Sequence, residues 1–337
     1  MKIGIDSGAL CGPRLGNYIF TENLLKALIK FDKKNKYFLY SFCNKPVRLK
    51  LNKNFIYKKL LPKKGWLKFR VSLAEKINKK DIFLALNQAI PYTKASIISF
   101  SHGTSFIKYK KFYLQNYIRL KRQLDNMINK SKFIIVSSKK VKSELIKYGA
   151  KTHQTKIINF GIPNDMLTTS KRSPKKYFLF VGVNQKIKNI KFIINRFKEF
   201  LKFKKDYKLI LVLNNFIKSN NKNIKILSNI SRQRLQKLYL SANAYLSASY
   251  YESFNFPILE ALSQKCPVIS LKSSVIPEMQ KYVNIANNSK EFLKLMQRSV
   301  NNDLKTVNIN VIKRKFSWNN YVKKLYLLFN RNDKILK

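Results

Sequence analysis

Two carboxylates stand close together in a chain that has few of them. Glu252 and Glu260, with seven residues between, lie in a stretch that opens as a strand, Ala244-Tyr245-Leu246-Ser247-Ala248. The chain then turns through a loop that holds Glu252. Pro257 takes the place of a first helical position, where its missing N–H costs nothing, and Glu260 falls in the opening turn. Open α/β sheets bind ligands beyond the carboxyl ends of their strands, with helix-start N–H groups turned to an anion. A carboxylate there can accept two hydroxyls of a ribose. A first-turn glutamate also interacts favourably with the helix dipole, worth under about 1 kcal/mol, and taken alone that reading serves at least as well.

The elements that must position these residues alternate between strand and helix. Strand 2–6 precedes a helix from about Tyr18, with Leu24, Leu25, Leu28 and Phe31 at helical spacing. Short apolar runs at 37–40, 81–85, 96–100 and 133–137 suit a parallel sheet covered on both faces, with helices around 111–129 and 139–148 as covers. The polar, proline-marked stretch 166–176 suits a hinge. The alternation then restarts. Strand 177–181 ends in Gly182, and Ile190, Ile193, Ile194, Phe197 and Leu201 form a helical stripe. Strands 208–213, 224–227, 244–248 and 267–270 and helices 232–242 and 257–264 follow. This predicts an α/β protein of two Rossmann-like, doubly wound domains facing a cleft, 1–165 and 177–318, with a C-terminal helix 319–335 packing back on the first.

Composition narrows the class. The chain has 337 residues, 45% of them hydrophobic, so it is globular and long enough for two cores. No apolar run reaches the roughly 18 residues of a spanning helix, and Met1–Asp6 reads as a buried strand rather than a signal peptide. Cys11, Cys43 and Cys266 are odd in number and far apart, which argues against disulfides and zinc and for a reducing cytoplasm. Against 69 Lys and Arg stand only 16 Asp and Glu, a net charge of +53. Such a surface attracts polyanions or an anionic membrane, although compositional drift toward lysine explains part of it.

The pattern from Glu252 through Glu260-Ala261-Leu262 to Pro267-Val268-Ile269 resembles the signature of family-4 retaining glycosyltransferases of the GT-B fold. The resemblance extends in order through Gly4-Ile5-Asp6, Leu15-Gly16-Asn17-Tyr18, His102-Gly103, Val136-Ser137-Ser138, Asn159-Phe160-Gly161-Ile162, Gly182 with Lys188-Asn189, Pro277-Glu278 and Phe316-Ser317-Trp318. It implies that the N-terminal domain faces the acceptor and the C-terminal one binds the nucleotide-sugar. Glu260 would hold the ribose hydroxyls, and Glu252 would contact the donor sugar near the reacting centre. Lys188 would neutralise the diphosphate leaving group, whose charge grows in the transition state. The backbone at Gly16 and across Ser253, Phe254, Asn255 and Phe256 would hold phosphates and sugar. His102 would reach the sugar from the N-terminal domain; its other reading is a hydrogen-bonded histidine at a strand end. The implied partners are a nucleotide-sugar donor, which is a substrate and not a cofactor, and a glycan or lipid-linked acceptor.

Departures are visible too. Ile187 stands where the family often has arginine, Arg14 stands for the first glycine of the family's glycine-rich turn, and Ser253, Asn255 and Lys265 replace three more glycines. A positive φ at those places becomes costlier, least so for Asn255. None of the eight aspartates comes within two residues of another acid, so a D-x-D metal clamp is absent and a metal-independent reaction is expected. The alternatives are another sugar-nucleotide enzyme of this fold, an epimerase or phosphorylase, and a non-enzymatic basic nucleic-acid-binding protein. No helix-turn-helix, zinc finger or aromatic RNA-binding strand supports specific nucleic-acid binding. Leu60–Arg70, which carries Trp66, Leu67 and Phe69 among cations, and the basic stretch Lys108–Tyr113 have the composition of segments lying in a headgroup layer. They predict peripheral attachment to the inner face of an anionic membrane; in the competing reading Trp66 and Phe69 belong to a core.

Overall fold

A computed structural model describes residues 1–167, 171–215 and 221–333, with side chains described as far as 330. The chain divides into two compact units, Met1–Gly161 with Ser317–Lys337, and Ile162–Phe316. The first division lies just before the expected 165, because Met166 is fully buried in the second unit, where its carbonyl accepts from Ser263 Oγ at 3.0 Å. Within the stretch read as a hinge, 168–170 lie outside the described residues, as do 334 and 335 of the C-terminal helix.

The first unit is built on seven parallel strands, β1 (Lys2–Asp6), β2 (Lys36–Ser41), β3 (Phe55–Lys59), β4 (Ile82–Ala85), β5 (Ser96–Ser101), β6 (Phe133–Val136) and β7 (Thr155–Ile157). Their order is β3-β2-β1-β4-β5-β6-β7. The central strands are buried along their whole length, as β4 and β6 show, which is why they read as continuous apolar runs. The helices are α1 (Gly16–Phe31), α2 (Ser72–Ile77), α3 (Ser105–Lys108), α4 (Tyr117–Lys130) and α5 (Lys139–Lys147). The helix expected from 111 begins only at Tyr117, after two short 3-10 turns at Lys110–Phe112 and Leu114–Asn116.

The second unit has six parallel strands, β8 (Lys175–Gly182), β9 (Lys208–Leu213), β10 (Ile224–Leu227), β11 (Ala242–Ser247), β12 (Val268–Leu271) and β13 (Asn284–Ala286), in the order β10-β9-β8-β11-β12-β13. Its helices are α6 (Ile190–Leu201), α7 (Arg232–Ser241), α8 (Phe256–Ser263), α9 (Ser289–Val300) and α10 (Ile309–Lys315). Ile193, Phe197 and Phe200 of α6 are fully buried in one core with Phe178, Leu209 and Leu246. The last helix, α11 (Trp318–Asp333), belongs to the first unit, where Trp318 stacks on Phe160 and Tyr321 lies edge-on to Phe20. Both units are α/β and Rossmann-like; every strand is parallel, and the order in which strands are added reverses once in each sheet, between β1 and β4 and between β8 and β11.

Two expectations change. Cys11 and Cys43 form a disulfide, with Cα atoms 5.6 Å apart. Parallel pairing of β1 with β2 sets Asp6 beside Tyr40, so the loops that leave the two strands meet, however far apart in sequence. The cysteine argument for a reducing compartment therefore falls. The two aromatics of the basic segment also part company. Trp66 turns inward against Phe42, ring centroids 5.4 Å apart, whereas Phe69 is 65% exposed. Among the described residues no helix is long and apolar enough to cross a membrane.

Candidate functional site

In the second unit the strand order reverses between β8 and β11, and the loops leaving these two strands are tied together. Tyr250 N donates to Ile187 O at 2.9 Å, and Asn189 Nδ2 donates to Ala248 O at 3.2 Å. Asn189 itself is left-handed, φ 53°, a conformation asparagine tolerates better than most residues. This seam brings Lys188 and Glu252 together. Lys188 Nζ lies 2.7 Å from Glu252 Oε1, and Ser249 Oγ donates to the same oxygen at 2.7 Å. Glu252 is buried, while the lysine remains partly open to solvent.

Behind Glu252 runs a chain of buried serines. Ser249 N donates to Ser274 Oγ at 2.6 Å, and Ser274 Oγ pairs with Ser247 Oγ at 2.8 Å. Asn255 closes the relay, its Nδ2 donating to Ser247 Oγ at 3.1 Å and to Ser274 O at 3.0 Å. Asn255 has φ 72° and caps α8, accepting from Ile258 N at 3.3 Å. It thus keeps the left-handed backbone at a glycine position of the family pattern, as Lys265 does with φ 58°. Phe254 and Phe256 turn buried rings toward each other, 5.4 Å between centroids, so their side chains are core. Ser253 lies in the same loop, partly buried.

Glu260 is placed differently from its expectation. Phe256 begins α8, so the opening turn holds no acid and Glu260 lies one residue beyond it, 3% exposed. Its oxygens are met by side chains: Arg232 Nη2 donates to Oε1 at 2.6 Å and Tyr239 Oη to Oε2 at 3.0 Å. Arg232 also forks onto Asp165, Nε to Oδ2 at 3.1 Å and Nη2 to Oδ1 at 2.9 Å. Burial would lower the pKa of Arg232, but Glu260 and Asp165 outweigh it and raise it above the ordinary value. Burial, and then the charge of Glu260, push the Tyr239 hydroxyl far above its ordinary range, so it remains a donor. Arg232, Tyr239 and Asp165 escaped the sequence reading. One arginine among 69 basic residues carries no signal, and Tyr239 reads as helix core.

The first unit has its own reversal, between β1 and β4. Asp6 ends β1, fully enclosed, accepting from Gly8 N at 3.0 Å and from Asn87 Nδ2 at 3.2 Å. Burial raises its pKa to about 6 against these two bonds. His102 follows β5, its Nε2 2.6 Å from Leu86 O. A carbonyl only accepts, so Nε2 carries the proton and Nδ1 the lone pair. Burial lowers the imidazole pKa below its ordinary value, which keeps the ring neutral. Gly16 opens α1 at the surface, where an added Cβ would meet nothing within 4 Å. Arg14, at the first glycine position of the turn, is drawn off by Glu22, 2.8 Å away.

Residues 163–310, nearly the whole second unit, match the family model of glycosyl transferases group 1. The O-antigen chain mannosyltransferase B of Escherichia coli is 23% identical over 234 residues, 59% of this chain. The chain thus spans only 58% of the length of that curated relative. A sucrose-phosphate synthase from Thermosynechococcus elongatus superposes with a TM-score of 0.75 at 15% identity, covering 98% of each chain. Anabaena HepE, solved with UDP and glucose, gives 0.74 at 13% identity, covering 98% of this chain and 99% of its own. The fold is GT-B, and the resemblance to glycosyltransferases read from Glu252 and Glu260 falls inside the matched residues.

Proposed function

We propose that the chain is a retaining, metal-independent hexosyltransferase, moving a sugar from a nucleotide-sugar donor to a glycan or lipid-linked acceptor. The observation that carries this reading is the Lys188–Glu252 pair, 2.7 Å apart where the second sheet reverses, inside the residues matched by the family model. Glu260 accepts the ribose hydroxyls, and Glu252 takes hydroxyls of the donor sugar beside the reacting carbon. Lys188 turns its remaining N–H donors to the diphosphate, whose charge peaks as it leaves. The backbone of Ser253, Phe254, Asn255 and Phe256 holds sugar and phosphate. In the first unit Gly16 offers its N–H at the start of α1, and His102 offers Nδ1 to a sugar hydroxyl.

A hexose agrees with the mannosyltransferase relative, and a nucleoside diphosphate carrier with the UDP complex of HepE. Retention rests on the family resemblance, and metal independence on the isolated aspartates. The test is a donor screen by nucleotide release in EDTA, using GDP-mannose, UDP-sugars and dTDP-sugars. Release with one donor class and an NMR time course showing the retained anomer are expected. An inverted product, or activity lost to EDTA and restored by Mg²⁺ or Mn²⁺, overturns the corresponding half.

Peripheral attachment to a membrane belongs to the same reading. Phe69, Leu73 and Ile77 recur every fourth residue and are 65%, 50% and 78% exposed, one apolar stripe between Lys68, Arg70 and Lys76. Anionic lipids attract such cations by about 1 kcal/mol each, and the inner leaflet is the anionic one. Sedimentation with phosphatidylserine vesicles should capture the protein at low salt, release it as salt rises, and lose it with Phe69→Ala and Ile77→Ala together. Equal capture by neutral vesicles, or none at low salt, sinks the attachment.

A further inference from the structure

Arg232 begins α7, the end of a helix where the macrodipole repels a cation. No α-helical consideration puts a guanidinium there. It is held by two carboxylates from distant parts of the second unit, Asp165 and Glu260, while Tyr239 from the same helix takes the other oxygen of Glu260. We propose that Arg232 is the positioning residue of the nucleotide site: with Tyr239 it aims the buried Glu260 carboxylate so that both oxygens can receive the ribose hydroxyls. The proposal rests on the function proposed above for Glu260.

A carboxylate that is 3% exposed needs a cation beside it, since taking one charge from water costs several kcal/mol. Arg232 is that cation. Each carboxylate oxygen has room for about two donors, and each oxygen of Glu260 has one named donor, Arg232 on Oε1 and Tyr239 on Oε2. One position on each oxygen is left for a vicinal diol. The two donors also set the carboxylate plane, because they approach from different residues along α7. Asp165 fixes the guanidinium in turn by a two-point fork, which a lysine could not reproduce. Arg232 therefore acts through Glu260 and need not touch the nucleotide.

The readout is the preference for ribose over deoxyribose, which a purely structural role would leave alone. Calorimetry would compare UDP and GDP with their 2′-deoxy forms. The wild type should favour the ribonucleotide by about ten-fold or more, the range for a hydrogen bond to a charged group. Arg232→Met should reduce that preference to near unity while the deoxynucleotide affinity stays within about three-fold. Arg232→Lys, which keeps the charge and loses the fork, should recover part of the preference; it also serves if the methionine variant does not fold, as judged by its thermal transition. Equal weakening of ribo and deoxy forms in both variants, or a wild-type preference in both, overturns the proposal. Glu260→Gln separates the two claims. If it keeps the full ribose preference, the assignment of Glu260 itself fails; if it alone loses the preference, only the role of Arg232 fails.

Discussion

The strand order of the two sheets reverses in the same way, yet the carboxylates at their reversal points are held differently. In the second unit each acid has a cation: Glu252 has Lys188 at 2.7 Å, and Glu260 has Arg232 at 2.6 Å. In the first unit the partners of Asp6 among the described residues are neutral, the Gly8 N–H and the Asn87 amide. Burial then decides, and its pKa rises to about 6. The same fold thus makes one site of paired charges and one site with a titrating acid. A nucleoside diphosphate site needs both signs, cations for phosphate and carboxylates for hydroxyls. A site for an uncharged hydroxyl group has no such requirement.

The largest break in this comparison comes from Lys188→Ala, which strips Glu252 of its cation and removes the group proposed to face the leaving diphosphate. Its kcat should fall by about two to three orders of magnitude, with a smaller rise in donor KM. Steady-state kinetics with the donor found by nucleotide release decides it; a rise in KM alone would mean that Lys188 serves only ground-state binding.

A smaller effect is expected at Asp6. Its folded pKa of about 6 lies above the ordinary 3.8, so between these values the folded state keeps a proton the unfolded chain has lost. That contribution to stability is present at low pH and disappears as pH rises through about 6; beyond it the buried charge costs up to about 3 kcal/mol. Asp6→Asn removes this slope. Relative to wild type it should gain on the order of 2 kcal/mol between pH 4 and pH 7.5 in chemical denaturation. A difference that stays constant across that range would show that Asp6 does not titrate as a buried, uncompensated acid.

Much of the framework was legible along the chain, and the misses share a cause. The strands foreseen include the buried centres of both sheets, whose apolar runs stand out. The strands missed, β3, β7 and β13, are all sheet edges. β3 shows why: Phe55 is buried while Lys58 and Lys59 face water, so no apolar run forms, and lysines on an edge also discourage pairing with another chain. At the site, Asn255 was foreseen as the replacement best able to keep a left-handed backbone. Glu260 falls one residue past the opening turn, because α8 starts at Phe256 and not at Pro257.

By itself the sequence determined the order of elements, the two successive alternations and the carboxylates Glu252 and Glu260 beyond the same strand. All of these are local, because periodicity and turn chemistry act over a few residues. Only the tertiary structure decided which partners meet. Lys188 and Glu252 are 64 residues apart, Arg232 lies 67 from Asp165 and 28 from Glu260, and Cys11 and Cys43 are separated by 32. In a chain with 69 cations, charge alone cannot select one partner for a given acid. Strand order does, because it brings the ends of β8 and β11 side by side and sets the loops of β1 and β2 against each other.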